Sequence, residues 1–377
     1  MRTKMIMMQN RKIPNAAQEV HVPLNAEDKQ MGLNENKVIL GLSGGVDSTA
    51  AALLLREKGL EVIGLFLDVT GDNIEGRKSA EEMASQLNIG FIYRDVSREF
   101  KDKVIDSFCM EYAAGRTPNP CIRCNPEVKF KTLCDVADTL GIRYIATGHY
   151  ARTYYDNDLK LWFIRKAVCI ERDQSYMLYR LPQNVVSRLL MPLGDIEGKD
   201  KVRAIAREKS LKNADLKDSQ EICFIEQGKS YGEYLSEQGI QSSAGNFVDP
   251  EGRVLGMHNG ILNFTIGQRK GLGVALGKPY YVVALDSKKN EVVLSENEQD
   301  LFKSRIMSNE NHFVLPFEGL KVDAKIRSMA QPASAFIRPF GADRIEIIFD
   351  KPQRAPAAGQ SIVFYLGDFV LGGGFIV

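Results

Sequence analysis

The feature that most constrains the fold is an alternation of apolar strands and amphipathic helices between Lys37 and Tyr150. The strand-like runs are short and almost continuously apolar, beginning with KVILGL at residue 37 and LEVIGLFL at residue 60. Helix-forming segments follow them, and SREFKDKVIDSFCMEYAAG opens with Ser97, a residue type common at helix N-caps. This alternation is typical of a parallel sheet with helices on both faces. The sequence therefore predicts an α/β fold with a doubly wound parallel sheet.

The pattern changes further along the chain. After about residue 190 it predicts a basic helix, a loop and a short strand, and from about residue 245 short strands alternate with Gly, Pro and Asn turns. One of these strands is predicted at NFTIGQRKGLG. Regularly spaced short strands are typical of a small β-barrel or sandwich. We predict a polar, loosely ordered extension and three domains, with the bounds 1–36, 37–194, 195–300 and 301–377.

Composition excludes several classes of protein. The 49 basic and 48 acidic residues give a net charge of +1, so a nucleic-acid partner would have to meet a local basic face. No apolar run approaches the roughly 20 residues of a membrane helix, and the first residues lack the apolar core of a secretory signal, so we expect a cytoplasmic protein. Six Cys are too few for a disulfide scaffold, so clustered Cys indicate reactive or metal-binding thiols.

The segment SGGVDS, Ser43 to Ser48, lies between the first predicted strand and the first predicted helix. Its glycines let backbone N–H groups approach phosphate oxygens, and the helix N-terminus adds a positive dipole end. The spacing G-x-x-x-x-G-K-[ST] of a Walker A loop is missing. SGGVDS resembles instead the loop of enzymes that split ATP between its α and β phosphates. The alternative is a Gly-rich turn without a ligand.

Cys121 and Cys124 form a C-x-x-C pair in a segment that predicts a Pro-rich loop before a helix. Such a pair serves as metal ligands, as a redox pair, or as a nucleophile with a neighbour that lowers its pKa. Arg123 and the helix N-terminus are expected to favour the thiolate. Cys223 has a similar polar setting, whereas Cys109, Cys134 and Cys169 have apolar neighbours typical of buried, inert thiols.

Taken together, several ordered motifs resemble the MnmA/TrmU family of tRNA-specific 2-thiouridylases. They are SGGVDS, GRTPNPCIRCN, EVKFK, ATGHYAR, RDQSYMLY, SQEICFI, FTIGQRKGLG and LGGGFI, and they span about Lys37 to Val377. The resemblance implies a catalytic domain of the ATP-pyrophosphatase type, a central tRNA-binding domain and a C-terminal β-barrel. It also implies that the enzyme adenylates the C2 oxygen of the wobble uridine in tRNA and replaces that oxygen with sulfur from a persulfide. AMP and pyrophosphate leave.

The resemblance also implies roles for individual residues. Those implied to bind ATP are Gly41, Leu42, Ser43, Gly44, Gly45, Val46, Asp47, Ser48, Leu67 and Gly148. Those implied to contact tRNA are Asn119, Pro120 and Cys121 at the flipped uracil, and His149, Arg172, Asp173, Gln174, Arg327, Ser328 and Gln360 elsewhere. Cys124 matches the nucleophile, and Cys223 matches the persulfide carrier that forms a disulfide with it. A sulfur-donating protein or a sulfide source is the implied partner.

One position departs from the family pattern, because Cys121 stands where many members have Asp. Three thiols, Cys121, Cys124 and Cys223, could bind a [4Fe–4S] cluster with one open iron site. Cys121 could instead act as a thiolate base, as a spare resolving thiol, or have only a structural role. Three thiols converging on one site favour the cluster. Pro126 also replaces the usual Lys and removes a positive charge.

Two further residue assignments and two other functions stay open. The basic stretch from Lys199 to Lys212 is either a solvated helix face or a tRNA-binding face. Asp47 either organises Mg²⁺ on the pyrophosphate or caps a helix. The rival functions are an ATP-pyrophosphatase that activates a small molecule for amidation, which would not need the Cys pair, and a noncatalytic RNA-binding protein, which would not need an intact SGGVDS.

Overall fold

The computed structural model describes residues 33–209, 211–214, 222–226, 228–274 and 277–377. The predicted extension lies outside the described residues up to position 32. Its last residues correct the prediction, because the first strand already begins at Asn34, where it pairs with Ile142. Within the described residues, no helix combines the length and the apolarity needed to cross a membrane.

A parallel sheet forms the centre of the N-terminal half. The strands of this half are β1 Asn34–Gly41, β2 Glu61–Asp68, β3 Gly90–Asp95, β4 Ile142–Ala146, β5 Ala151–Asp156, β6 Leu161–Lys166 and β7 Leu189–Leu190. The sheet has the order β3-β2-β1-β4-β7, and each neighbouring pair is parallel. The strand order reverses between β1 and β4. In open α/β sheets, ligands bind beyond the carboxyl ends of the strands at such a reversal.

Helices cover both faces of this sheet. The helices of the described residues are α1 Val46–Glu57, α2 Ile74–Gln86, α3 Ser97–Phe100, α4 Asp106–Ala113, α5 Pro120–Cys124, α6 Phe130–Thr139, α7 Gln183–Val186, α8 Lys199–Glu208 and α9 Tyr231–Glu237. The last of them, α9, packs instead in an apolar cluster with Phe247 and Val292, outside this sheet. Alternate residues of β1 pack on opposite sides: Ile39 lies in the cluster that contains Leu133 of α6, and Leu40 lies in the cluster that contains Ala51 of α1. The doubly wound sheet predicted from the sequence is confirmed.

Two local predictions about helices are wrong. Ser97 is not an N-cap, because Val96 holds that place and the Asp95 carboxylate accepts a hydrogen bond from the Ser97 backbone N–H. The Cys pair is not in a loop either, because α5 already begins at Pro120. Proline is favoured at the first helical position, where its missing N–H costs no hydrogen bond. Single π-helical turns at Lys101–Ile105 and Asn125–Lys129 connect α3 to α4 and α5 to α6.

The remaining strands form two further sheets. They are β8 Gly245–Val248, β9 Val254–His258, β10 Tyr281–Asp286, β11 Glu291–Ser295, β12 Phe302–Phe313, β13 Leu320–Lys325, β14 Ala333–Phe340, β15 Arg344–Arg354, β16 Ser361–Leu366 and β17 Phe369–Ile376. The central sheet has the order β10-β11-β8-β9. The predicted strand at NFTIGQRKGLG is wrong, since a 3₁₀ turn at Ile261–Asn263 and irregular backbone occupy its described residues. No strand occurs at 222–226 either, within the described part of SQEICFI.

The C-terminal strands close into a barrel. Within the described residues, β12, β15, β14, β13, β16 and β17 pair in that order, and β17 pairs back with β12. The predicted C-terminal barrel is confirmed. The sequence did not predict the hairpin β5-β6, which joins this sheet beside β17 through Arg165 and Phe369. The predicted domain boundaries at 194 and 300 stay predictions.

Short 3₁₀ turns complete the secondary structure. Those not yet named are Ile170–Arg172, Ser175–Leu178, Pro192–Asp195 and Glu298–Leu301. The turn at Ser175–Leu178 brings the N-terminal half of the chain against the barrel, because the Tyr176 hydroxyl donates to the Ser361 carbonyl at 2.7 Å. The barrel therefore lies directly behind the segment that follows β6.

Candidate active site

The SGGVDS loop turns the chain from the carboxyl end of β1 into the N-terminus of α1. Gly44 has φ +79°, a conformation that side chains disfavour, and a Cβ there would lie 2.6 Å from Ser79 Oγ of α2. The hydroxyl of Ser48 ties the loop together: it accepts from the Ser43 N–H at 3.2 Å and donates to the Gly45 carbonyl at 3.0 Å. The loop therefore presents its backbone at a helix N-terminus, which suits a phosphate group.

Two elements hold the loop from outside. Gly148, just beyond β4, packs so closely that an added Cβ would lie 2.9 Å from the carbonyl carbon of Asp47. The Asp47 carboxylate accepts hydrogen bonds from the Tyr150 hydroxyl at 2.7 Å and from Lys199 Nζ at 2.7 and 2.8 Å. Lys199 corrects the prediction of a solvated or tRNA-binding face at its position, because it is buried. Sequence reasoning missed this role.

The other residues predicted to bind ATP surround the same point. Leu42 and Val46 are buried and pack in the core, while Gly41 is the last residue of β1, at the carboxyl end of this central strand. Leu67, near the end of β2, is half-buried and, like Cys124, packs against the apolar cluster that contains Phe100. The structure thus brings the predicted nucleotide residues together at the carboxyl ends of β1, β2 and β4.

The C-x-x-C pair occupies the first turn of α5. Asn119 caps this helix, since its Oδ1 accepts a hydrogen bond from the Cys121 N–H at 3.1 Å. Cys121 is exposed and Cys124 is half-buried. Residues three apart lie on the same helix face, so the two thiols point the same way. Asn125 anchors the next turn by donating to the Met177 carbonyl at 2.9 Å.

The charge beside Cys124 is not the one predicted. Arg123 turns away to Glu310 of the barrel, with its Nη2 3.1 Å from each carboxylate oxygen, and it lies over the Phe375 ring. Burial raises the pKa of the Cys124 thiol, and Lys129 opposes this rise. The expectation that Arg123 and the helix N-terminus favour the thiolate is therefore wrong. Desolvation outweighs the opposing charge of Lys129, so the pKa of Cys124 lies above that of a free thiol.

Cys223 lies near this pair. Although the residue as a whole is exposed, the pKa of its thiol is raised, first by desolvation and then by Cys124 and Cys121. The neighbouring Phe224 packs in the same apolar cluster as Cys124, and its ring contacts Phe100 at a centroid distance of 5.5 Å. Cys223 is thus close to Cys124 in the fold, although about a hundred residues separate the two in the chain. Cys109, Cys134 and Cys169 are buried, as the sequence predicts.

Sequence reasoning assigned no role to Lys129, although it belongs to the EVKFK motif. Its charge acts on Cys124, on Cys223 and on His149. The backbone of Lys129 hydrogen-bonds with Cys124, while its ammonium group makes no ion pair with the described residues. The signal available in the sequence was a Lys between the apolar residues Val128 and Phe130, both of which are buried.

His149 is held in a neutral form. Its Nδ1 lies 2.8 Å from the Thr147 hydroxyl, and its ring stacks on Phe130 at 5.8 Å. Burial, and then Lys129, lower the pKa of His149 to about 3. At neutral pH the imidazole therefore carries no charge, and a contact with RNA would use hydrogen bonding or stacking.

The remaining residues predicted to contact tRNA lie in different settings. Arg172 and Gln174 are exposed, and Gln174 Oε1 accepts from the Tyr150 N–H at 2.9 Å. Asp173 accepts hydrogen bonds from the Ala167 N–H and the Ser175 hydroxyl, so it holds a turn. The segment 172–174 therefore adjoins Tyr150, which contacts the nucleotide loop.

Two predicted tRNA contacts in the barrel tie parts of the protein together. Arg327 Nη2 donates to the carbonyls of Ile266 at 3.2 Å and Ala355 at 2.8 Å, and Ser328 beside it is half-buried. Gln360 Nε2 donates to the Thr117 carbonyl at 2.8 Å and so holds the segment before α5. These two residues position other groups in the protein as it stands.

A cavity of about 160 Å³ separates α4 and α5 from the barrel. Asn119, Pro120 and Arg123 line one side, and Glu310 and Phe375 line the other. In the described part of the chain, no group of three or more His, Cys, Asp or Glu side chains is placed to hold a metal ion. Cys121, Cys124 and Cys223 therefore do not form a ready set of iron ligands.

Three family models match consecutive parts of the chain. They are described as a tRNA methyl transferase HUP domain at residues 36–227, a tRNA methyl transferase PRC-barrel domain at 232–296 and an aminomethyltransferase β-barrel domain at 304–376. The class is thus a nucleotide-loop α/β domain followed by two β domains. Among solved structures, an NMN synthetase from Francisella tularensis aligns with 49% of this chain and 67% of its own, at 16% identity and a TM-score of 0.34, too remote to bear on function.

Curated relatives match almost the whole chain. A protein named tRNA-specific 2-thiouridylase MnmA from Clostridium acetobutylicum is 44% identical over 356 residues, covering 90% of this chain and 99% of the relative. Those of the same name from Syntrophomonas wolfei and Acetivibrio thermocellus are 45% and 42% identical; they cover 90% and 91% of this chain and 99% and 100% of their own length. The chain belongs to the MnmA family of tRNA-specific 2-thiouridylases.

Proposed function

We propose that this protein is an ATP-dependent tRNA sulfurtransferase that converts the wobble uridine to 2-thiouridine. Family membership supports the reaction, and the described geometry supports its two halves. The observation that carries the proposal is that motifs far apart in the sequence are close together in the fold. The SGGVDS loop contacts Gly148, and the Cys223 thiol lies close enough to Cys124 and Cys121 for both to raise its pKa. If SGGVDS were only a Gly-rich turn without a ligand, the proximity of Cys223 to Cys124 and Cys121 would have no explanation.

In the first half of the reaction, the uridine C2 oxygen attacks the α phosphate of ATP. The bond between the α phosphorus and the bridging oxygen breaks, and pyrophosphate leaves. Backbone N–H groups of the loop and the N-terminus of α1 stabilise the charge that develops on the phosphates. Ser48 fixes the loop through its contacts with Ser43 and Gly45. The adenylated oxygen is then a good leaving group.

In the second half, the terminal sulfur of a persulfide on Cys223 attacks C2, and AMP leaves with the former oxygen. The Cys124 thiolate then attacks the Cys223 sulfur, which breaks the S–S bond and leaves sulfur on C2. Two thiols are oxidised to a disulfide while the transferred sulfur is reduced. A cellular thiol reductant must restore the pair. A sulfur-donating protein that carries a persulfide must then reload Cys223, because the transfer of its terminal sulfur to the thiol needs no further oxidant.

In this scheme the thiols must react only after the base has been adenylated, and two features of the site are consistent with that order. Burial raises the pKa of both Cys124 and Cys223, which disfavours their thiolates before the base is adenylated. Lys129 is the cation placed to stabilise the Cys124 thiolate and acts on Cys223 as well. The scheme takes place in the cytoplasm, where reduced thiols and tRNA are both available.

A [4Fe–4S] cluster on Cys121, Cys124 and Cys223 stays a prediction, as does Mg²⁺ at Asp47. The three thiols do not form a ligand set among the described residues, and Lys199 and Tyr150 already contact the Asp47 carboxylate. We therefore assign no reaction step to the cluster or to Mg²⁺. Anaerobic reconstitution with iron and sulfide tests the cluster, which would give broad absorption near 400 nm and about four irons per chain. No bound iron, with full thiolation by Cys121→Asp, would exclude it.

The test of the proposed function is release of pyrophosphate from ATP with and without tRNA, followed by gel analysis of the tRNA for thiolation. We expect release that depends on tRNA bearing a wobble uridine, and thiolated product once a persulfide donor is added. An enzyme that activates a small molecule would release pyrophosphate without tRNA. A noncatalytic RNA-binding protein would release none. Either outcome would contradict the proposal.

A further inference from the structure

Lys199 is a basic residue in a place that disfavours basic residues. It is the first residue of α8, where the positive end of the helix dipole repels a cation, and only 7% of its surface is exposed. Removing an ammonium group from water is costly unless it is paired. Lys201 and Arg207 on the same helix are exposed. A buried residue that contradicts the local preferences of its helix, as this cation does, is expected at a functional site.

The Lys199 side chain reaches the nucleotide loop. Its Nζ lies 2.7 and 2.8 Å from the two carboxylate oxygens of Asp47, the second residue of α1. The N-termini of α1 and α8 therefore approach each other within the reach of one lysine side chain. Both dipole ends and the ammonium group favour an anion at this place.

The loop is held without Lys199 as well. The Tyr150 hydroxyl donates to Asp47 Oδ1 at 2.7 Å, and buried Asn213 Nδ2 donates to the Gly44 carbonyl and to Thr49 Oγ1, both at 2.8 Å. Anchoring of the loop therefore does not by itself require a charged residue at position 199. What Lys199 adds is the charge that offsets the Asp47 carboxylate at the N-terminus of α1, beside the SGGVDS loop.

We propose that Lys199 is a phosphate-binding residue of the nucleotide site, whose ammonium group binds the triphosphate while Tyr150 keeps Asp47 in place. The inference rests on the proposed adenylation. Without Lys199, the Asp47 carboxylate would face the triphosphate uncompensated, and like charges at this distance repel. Lys199 thus belongs to the ATP site and not to the tRNA-binding face.

The experiment compares Lys199→Met with Lys201→Met in the full chain. Calorimetry measures the affinity for α,β-methylene-ATP, and filter binding measures the affinity for tRNA. We expect Lys199→Met to weaken nucleotide binding about tenfold or more, with tRNA affinity unchanged, and Lys201→Met to stay within about twofold for both. In turnover, KM for ATP rises more than kcat falls. Lys199→Arg, which keeps the charge, restores part of the affinity.

Three results would overturn the inference: wild-type nucleotide affinity in folded Lys199→Met, a loss confined to tRNA binding, or an equal loss in Lys201→Met. If Lys199→Met does not fold, Lys199→Gln gives the same comparison, because it keeps an N–H donor toward Asp47 without the charge. Failure of the proposed function looks different. In that case the wild-type protein itself binds no nucleotide and releases no pyrophosphate with tRNA.

Discussion

The nucleotide loop and the thiol site are built in different ways. The loop is held by polar contacts from separate elements: Tyr150 and Lys199 on Asp47, and Asn213 on Gly44. Around the thiols the contacts are mainly apolar, with Cys124 and Phe224 packed against one cluster. Hydrogen bonds fix direction as well as distance, whereas apolar packing mainly excludes water.

The difference matches the chemistry proposed for each region. Phosphate oxygens require oriented N–H groups that are in place before the nucleotide arrives. Thiols close to an adenylated base must not react too early, and an apolar setting keeps them protonated because it disfavours the thiolate. The comparison suggests a preorganised first half-reaction and a second half-reaction that waits for deprotonation.

We expect the largest effect from substitutions that remove polar contacts of the nucleotide loop. Asp47→Ala and Ser48→Ala should reduce pyrophosphate release by about 10³-fold or more, because each removes a group that orients the loop. Asp47→Ala also leaves Lys199 buried without its partner carboxylate, so circular dichroism must show that the fold persists. Asp47→Asn is the matched control for folding, since it keeps an acceptor for Tyr150. Normal adenylation by Asp47→Ala or Ser48→Ala would refute the loop assignment.

Breaking the thiol side should separate the two halves of the reaction. Cys124→Ser and Cys223→Ser are each expected to abolish 2-thiouridine formation while pyrophosphate release continues, because the hydroxyl group cannot carry or resolve the sulfur. Cys134→Ser, at a buried thiol away from this chemistry, is the control. Thiolated tRNA in cells whose only copy carries either variant would show that the catalytic assignment is wrong.

A smaller effect is expected when the pH of the sulfur-transfer step is varied. Burial raises the pKa of Cys124, so its thiolate fraction, and with it the rate of the sulfur-transfer step, should rise with pH between pH 7 and 9. Lys129→Met should raise this pKa further and slow the step about tenfold at pH 7.5, with recovery at higher pH. Pyrophosphate release should change little. A single-turnover pH profile that is flat for wild type would contradict the proposed role of the thiolate.

The smallest effect concerns the contact between the thiol helix and the barrel. Arg123→Ala should lower the free energy of unfolding by about 1 kcal/mol or less, because its pair with Glu310 is partly exposed to water. Thiolation should change little if Lys129 is the cation that acts on Cys124. Denaturant unfolding measures the first effect. A loss of thiolation as large as that of Lys129→Met would return the activating role to Arg123.

Sequence alone predicted what is local in the chain. SGGVDS and the Cys pair are short motifs whose chemistry follows from neighbouring residues, and the alternation of strands and helices predicted the sheet. Even the helix at Pro120 had a local signal, an Asn N-cap followed by Pro. The assignment to a loop treated Pro as a breaker and overlooked its preference for the first helical turn.

What the sequence did not predict depends on distant contacts. Lys199 is separated from Asp47 by 152 residues, so nothing in its own helix distinguishes it from Lys201. The basic pattern predicted a solvated or tRNA-binding face because charge patterns describe a surface and not what covers it. The same limit applies to the hairpin β5-β6, whose partner strand lies far along the chain.

The position of that hairpin has a consequence for synthesis of the chain. Arg165 of β6 and Asp368, which form an ion pair, are 203 residues apart, and Tyr176 meets Ser361 across 185 residues. While the ribosome adds the intervening residues, the edge of β6 that pairs with β17 stays open. Open strand edges and long-range pairings slow folding and invite mispairing. We therefore expect the nascent N-terminal domain to be prone to mispairing until β17 emerges and covers that edge.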